Sequence, residues 1–495
     1  MKNLKLLPLV AMISGVLVGC GGGGGGGGGG GTPVATYTWQ VVDLYKVERS
    51  KVGTGCAIFA NMSDGSGDVI ASRVADRGYR IMFHNADGSV VTDKTIEGSD
   101  LLSTGIIQFK ETDVPDGGYV SLEEFSGLTA GQRDSYILGV HKSLLQNMTL
   151  AIRTQQASSN NCYRGEQEPE DLTNDDAVIA VTANGNPAFF MTSSSESNTK
   201  GGTQPVGLAV HSGIPSVEKK LVTAFSQYSN SEANTLTQYA IVPVGAVYDV
   251  TNPPTNPHVS VLSSNNIVSP GFTATDLNLS NSGVEVVLSG NVYEWQPLYN
   301  SSTSYSIAST DNNLSNWSLR LNGVTPGSSG AWNYEAQMTL DGSDVSITYP
   351  VVTDFSGSDI AACSNSYCVD VSGFTLSDFQ LQRTSIRSQS NSNRDFYQTI
   401  YSVPSNSQVI LKSGSEQISP QTTDVIEVGL VDSDAKLLDS AKVLMASSLD
   451  AENLVTLGNA EYADFNGVVM LPSEQLKYKK LMMSQNYQAL SNKVN

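Results

Sequence analysis

Tyr79-Arg80-Ile81-Met82-Phe83-His84, then Ala86-Asp87-Gly88, then Val90-Val91-Thr92-Asp93, make up the stretch that decides the fold. Two β-rich runs flank a dipeptide that tolerates positive φ, which is the usual signal of a hairpin. The pattern recurs. Val178 to Thr182 and Ala188 to Met191 flank Asn184-Gly185, and Ala336 to Leu340 and Val345 to Tyr349 flank Asp341-Gly342. Val425 to Val431 and Leu437 to Met445 flank Asp432-Ser433-Asp434, a fourth and weaker case. Each predicts a hairpin. Ser, Thr and Asn fill the connections, and sustained helical periodicity is scarce. Glu474 to Leu490 fits a helix and a last hairpin equally well. The expected class is therefore mainly β, built from tandem β-sandwich units of Ig-like or prealbumin-like type.

A long-period repeat runs through these strands. Tyr37-Thr38-Trp39-Gln40 matches Tyr293-Glu294-Trp295-Gln296, and Asp87-Gly88 matches Asp341-Gly342. Val90-Val91-Thr92-Asp93 matches Val351-Val352-Thr353-Asp354, and Gly98-Ser99-Asp100 matches Gly357-Ser358-Asp359. The order is shared and the spacing nearly constant, which points to an internal duplication. A subtler repeat divides each half in two. The expected units are 34–170 and 171–280, then 281–420 repeating the first and 421–495 repeating the second.

The N-terminus has its own grammar. Lys2 and Lys5 precede a largely apolar run from Leu6 to Val18. As a helix that run would span about 20 Å, short of the ~30 Å hydrocarbon core. It reads as a signal peptide over 1–19 rather than a membrane span. Leu17-Val18-Gly19-Cys20 resembles a bacterial lipobox, with Cys20 as the lipidated residue. Among lipoproteins an Asp after that cysteine favours inner-membrane retention. Gly21 stands there instead, so the resemblance implies the outer membrane and an acyl anchor in its lipid. Gly21 to Gly31 is unbroken glycine, and 20–33 reads as a flexible tether of about 18 Å root-mean-square span.

Composition narrows the chemistry. The chain has 495 residues, 28 basic and 48 acidic, for a net charge of −20. That balance argues against nucleic acid as a partner, because phosphate neutralisation needs clustered Lys and Arg. No CxxCH, P-loop, HExxH or GxSxG motif is present, and the four His (His84, His141, His211 and His258) are scattered. No catalytic residue, cofactor or metal is expected, although a Ser-His-Asp triad is defined in space and not by sequence. With Cys20 set aside, Cys56, Cys162, Cys363 and Cys368 remain. An even number in an exported chain suggests two disulfides. Cys363 with Cys368, and Cys56 with Cys162, is the simplest of three pairings, with a metal site as the rival reading.

Other candidate sites weigh towards packing or solvation. Asp64-Gly65-Ser66-Gly67-Asp68 and Asn174-Asp175-Asp176 offer oxygen ligands, but neither has EF-hand spacing. Glu166 to Asp176 is acidic enough to bind cations and reads better as a linker. Trp39 and Trp295 read as core tryptophans rather than carbohydrate platforms. Trp317 and Trp332, without counterparts in the first half, are the candidates for exposure.

Three functions follow in descending order: a structural surface lipoprotein, an adhesin or glycan-binding lipoprotein, and an anchored hydrolase. The lipobox, the glycine run and the acidic exported body together resemble the flagellar sheath lipoproteins (sheath protein A type) of bacteria with sheathed polar flagella. The resemblance implies a non-enzymatic component of the membranous sheath, in contact with other sheath or surface proteins. Only Cys20 carries over by role.

Overall fold

A computed structural model describes residues 34–62, 66–75, 78–101, 105–126, 134–152, 177–185, 187–192, 197–200, 205–209, 219–226, 235–325, 332–349, 360–371, 376–389, 395–415, 424–446 and 467–494. Thr36–Asn495 is one compact unit. The unit is mainly β, with several sheets, as expected.

The frame is a long sheet of thirteen described strands. In spatial order it runs Asn291–Leu298, Ser282–Leu288, Leu314–Thr325, Trp332–Thr339, Tyr487–Val494 and Val425–Ser433. It continues through Leu381–Gln389, Asp395–Ser402, Asp134–His141, Tyr119–Ser126, Tyr79–His84 and Ile96–Glu97. Asn278–Leu279 adds to Leu314–Thr325. Neighbours are antiparallel except where Asp395–Ser402 meets Asp134–His141, which is parallel. The strands thus cross the segment boundaries expected from sequence, since 34–170, 281–420 and 421–495 all contribute to this one sheet.

Alternation explains why these segments are strands. In Trp332–Thr339 the side chains of Trp332, Tyr334 and Ala336 are buried, while Asn333 and Glu335 between them are exposed. Successive side chains on a strand point to opposite faces, so one face meets a core and the other stays polar. On the core face Trp295 packs edge-on against Trp317 at 4.8 Å and beside Tyr239 at 5.0 Å, in the largest apolar cluster.

A second sheet runs Ile58–Asn61, Asp68–Val74, Thr36–Glu48, Met148–Ile152 and Val468–Val469, with Ile106–Lys110 also on Thr36–Glu48. Trp39, Val41 and Leu150 from it share a core with Ile81, Phe83, Leu122 and Val140 of the long sheet. Within 177–262 two four-stranded sheets face each other. Ile179, Val181 and Leu208 of one meet Phe190, Val222 and Val242 of the other, so this segment is a small sandwich with its own core.

Three expected hairpins are corrected. The Asn184-Gly185 turn forms, with Gly185 at φ 74°, but Ala177–Thr182 and Phe189–Thr192 go to different sheets. The Asp341-Gly342 turn forms, with Gly342 at φ 90°, but Val345–Ser346 pairs with Phe272–Thr273. After Asp432-Ser433-Asp434 the chain becomes helix α1, Leu437–Ala446, whose Leu, Ala, Lys and Met are good helix formers. The first hairpin survives in part: Val90 bridges back to His84, and a short 3₁₀ turn, Thr92–Lys94, replaces the rest of its second strand. Glu474 to Leu490 divides between both readings. Helix α2 covers Pro472–Met483 and the strand Tyr487–Val494 follows.

Candidate functional site

Cys363 and Cys368 are bridged, with Cα atoms 5.7 Å apart, closing the hairpin of Ile360–Cys363 and Ser366–Asp370. Cys56 is disulfide-bonded as well. Cys20, Cys162, His211 and the acidic run Glu166 to Asp176 lie outside the described residues. Asp68 pairs with Lys46 at 3.5 Å, while Asp64 lies outside the described residues. Trp39 and Trp295 are fully buried, as the packing reading expects. Trp317 and Trp332 are buried too, which corrects the expectation of an exposed aromatic. Both serve cores that strands distant in sequence complete. Among the described residues no group of three His, Cys, Asp or Glu is arranged to hold a metal, and no helix is long and apolar enough to cross a membrane.

Two polar constellations have no counterpart among the sequence motifs. The first lies on the core face of the long sheet, beneath the segment 407–415. Arg80 and Glu123 are cross-strand partners, and Arg80 Nε donates to Glu123 Oε2 at 2.6 Å. Ser135 and Ser413 donate to Oε1, and the Gly414 amide donates to Oε2 at 3.2 Å. Arg80 Nη2 donates to Ser415 Oγ at 2.7 Å. Two strands away, the Gln398 side chain pairs with the Leu411 backbone through both its donor and its acceptor. Gln408 joins Ser402 Oγ and Tyr119 Oη in the same layer. Ser407–Val409 has its own ladder on Ser366–Asp370, and beyond it Gln398 and Glu123 supply partners to the peptide groups of Leu411 and Gly414.

His84 belongs to this layer. Its Nδ1 lies 3.2 Å from the Gly88 carbonyl and its Nε2 2.7 Å from Ser121 Oγ. A carbonyl is an acceptor only, so Nδ1 carries the proton and Nε2 accepts from the serine hydroxyl. Burial is the largest influence on the imidazole and pushes its pKa down to about 4, against smaller upward pulls from Gly88 and Glu123. The pair has the donor order of a nucleophile and its base. Both side chains are fully buried, and a backbone carbonyl stands where a triad would place a carboxylate.

The second constellation lies on the opposite face of the same sheet. A cavity of about 360 Å³ is floored by five adjacent strands, from Leu314–Thr325 across to Leu381–Gln389, and Leu444 of α1 stands beside it. Strand register builds it. Asn322 lies opposite Glu335, and Asn333 opposite Ser491. Ala489, Ser491 and Gly429 keep the middle low. Arg383 closes one end and is already engaged by Glu427 at 2.7 Å. Glu335 is exposed, yet protein crowds its carboxyl. That crowding is the largest cause of a raised pKa, and Arg320 partly offsets it. Its exposure to solvent keeps the energetic weight of that shift small.

Beyond the cavity, towards α2, a tighter cluster shows the contrasting case. Glu285 takes ion pairs from Arg320 at 3.0 Å and Lys479 at 3.2 Å, and Gln337 donates to it at 3.2 Å. Burial raises the pKa of neighbouring Glu294, against the opposing pull of Arg320.

Compared with known proteins, the chain matches no family model, no curated protein and no solved structure.

Proposed function

We propose that this chain is a lipid-anchored structural protein of the bacterial outer-membrane surface, a component of a membranous flagellar sheath rather than an enzyme. The observation that carries the reading is Leu17-Val18-Gly19-Cys20, set at the end of an apolar run of signal-peptide length. Several features support it. Acyl chains gain about 0.8 kcal/mol per buried methylene, so more than one chain on Cys20 anchors stably. The compact unit starts at Thr36, after the glycine run, as a tethered body would. The Cys363–Cys368 bridge suits an oxidising, exported setting. The net charge of −20 keeps crowded copies apart and attracts counter-cations. Its partners are then outer-membrane lipid and other sheath or surface proteins.

The same proposal takes the body as diverged tandem sandwich halves. Asp87-Gly88-Ser89 and Asp341-Gly342-Ser343 form matching turns, each with the Ser amide and hydroxyl on the first Asp. Tyr119–Ser126 with Asp134–His141, and Leu381–Gln389 with Asp395–Ser402, are hairpins at similar places in the two halves. Trp39 and Trp295 weigh on the other side. One lies inside the second sheet, the other on the edge strand of the long sheet.

Replacing the acylated residue tests the anchor. Cys20→Ala should move the chain from the membrane pellet to the soluble fraction or leave it uncleaved. Unchanged outer-membrane fractionation would overturn the proposal. Immunolabelling of a C-terminal tag along the flagella of intact cells tests the sheath, and label spread over the whole surface would argue for a general coat.

A further inference from the structure

We infer that the cavity over Asn322, Asn333, Glu335, Gly429 and Ser491 binds an uncharged, hydroxyl-rich ligand of one or two sugar rings. This goes beyond the sheath reading and stands on separate observations. Among the described residues the Glu335 carboxylate, the Asn333 amide and the Ser491 hydroxyl make no hydrogen bond or ion pair. Asn322 donates to the Asn281 carbonyl at 3.1 Å, which leaves its own carbonyl oxygen to accept. Beside them polar side chains are used: Gln337 on Glu285 and Ser318, and Arg383, at the end of the cavity, on Glu427. The Glu335, Asn333 and Ser491 side chains thus bring three unused polar groups to one hollow.

Gly429 provides a second, independent argument. An added Cβ there would meet nothing nearer than 3.6 Å, an ordinary contact, and its φ is not in the left-handed region. Neither packing nor backbone conformation calls for glycine at this strand position. A strand-interior glycine costs stability, and a ligand approaching the backbone closely is one of the few reasons to keep it.

The chemistry selects the ligand class. The charge of Arg383 is balanced by Glu427 at 2.7 Å and Glu335 adds a carboxylate, so the hollow offers no net positive charge to a phosphate or carboxylate. Glu335 would accept from sugar hydroxyls, the two Asn would donate and accept, and Ser491 would do either. Cross-strand neighbours stand about 5 Å apart, and diagonal ones about 7–8 Å, which suits hydroxyls around one ring. The volume of about 360 Å³ is at the small end of ligand pockets.

Saturation-transfer NMR on the detergent-solubilised full chain tests this, with cellobiose, maltose, lactose and chitobiose as neutral probes and galactosamine as a cationic one. The expected result is transfer to at least one neutral disaccharide, unchanged in ~0.5 M salt, where charge attraction is screened. Glu335→Gln with Asn333→Ala should weaken it at least about tenfold, the size of a lost charged hydrogen bond. Gly429→Leu, which fills the hollow, should abolish it, with near-UV circular dichroism showing that the variant is folded. If Gly429→Leu does not fold, the exposed pair of substitutions alone decides. No transfer from any neutral probe would refute the ligand class. Transfer untouched by the substitutions would refute the site. Transfer to galactosamine alone, lost in salt, would replace the sugar with an ammonium ligand.

Discussion

On one face of the long sheet Glu123 is fully buried and meets Arg80, Ser135, Ser413 and Gly414. On the other, Glu335 is exposed and meets no hydrogen-bond donor among the described residues. The two glutamates sit on strands of one sheet and differ in what crosses above them. Over Glu123 lies the segment 407–415, whose own peptide groups need partners. Over Glu335 lies a hollow. Buried polar groups are tolerable when every lone pair is met, and they then fix one arrangement of the segments they join. Exposed polar groups in a hollow cost little and stay available to a ligand.

The largest expected effect breaks the closed side. Glu123→Ala leaves the buried Arg80 guanidinium with only the longer ion pair to Glu97 at 3.8 Å, and breaking a buried pair in this way costs about 3 kcal/mol. Urea unfolding of the purified chain should show a clear loss of midpoint. A loss under about 1 kcal/mol, the worth of an exposed pair, would mean that Arg80 finds water and the seam is not closed.

Acid should attack the same face next. His84 is neutral when folded, with its pKa pushed down to about 4, and regains an ordinary value near 6.5 when unfolded. Between those values the unfolded chain binds the extra proton, so stability falls as pH drops from about 6.5 towards 4. The full loss is about 3 kcal/mol, because each pH unit between the two values is worth about 1.4 kcal/mol. Comparing wild type with His84→Gln at pH 7 and pH 4 isolates this share from that of the carboxylates. Parallel pH profiles for the two proteins would show that His84 charges without opening the seam.

Gly88→Ala should do less. Gly88 sits at φ 78°, and a Cβ there would lie 2.6 Å from the Ile410 carbonyl oxygen, backbone that must shift. The left-handed conformation alone costs a non-glycine residue about 1–2 kcal/mol. The Lys412 amide also donates to the Gly88 carbonyl, so the turn carries the covering segment. Slowed hydrogen exchange at Lys412 should become fast in the variant. Unchanged protection would show that the segment is held without the turn.

These residues also show how far the sequence can be read. Tyr79–His84 and the Asp87-Gly88 turn are legible because alternation and turn chemistry are local. What those strands pair with is not. Asp341-Gly342 turns as expected, yet the chain beyond it adds to Phe272–Thr273, because a turn directs the chain without choosing its distant neighbour. α1 escapes a strand-based reading because Leu437 to Met445 is apolar enough for either element, and only its packing beside the strand Leu381–Gln389 settles the matter. The Cys363–Cys368 bridge is legible from the five-residue spacing of its cysteines. The cavity is not, because Asn322, Glu335, Arg383 and Ser491 converge through registers across five strands. The one local signal is the polar alternation of Asn333, Glu335 and Gln337, which marks a wet face and not a hollow.

The smallest expected effect separates the two glutamates most sharply. Glu335→Gln removes a charge that the surrounding protein disfavours, since crowding raises its pKa. A raised carboxyl pKa means that the folded chain holds the proton at higher pH than the unfolded chain does. The ionised form therefore opposes folding at neutral pH, and the opposition disappears in acid, where both states are protonated. Glu335 is exposed, so the effect should stay within about 0.5 kcal/mol, the range of surface substitutions. Glu335→Gln should be neutral or slightly stabilising at pH 7 and indistinguishable from wild type at pH 4. That is opposite in sign to Glu123→Ala and far smaller. A loss of about 2 kcal/mol or more at pH 7 would give Glu335 a protein partner of its own, and the two faces of the sheet would then treat their carboxylates alike.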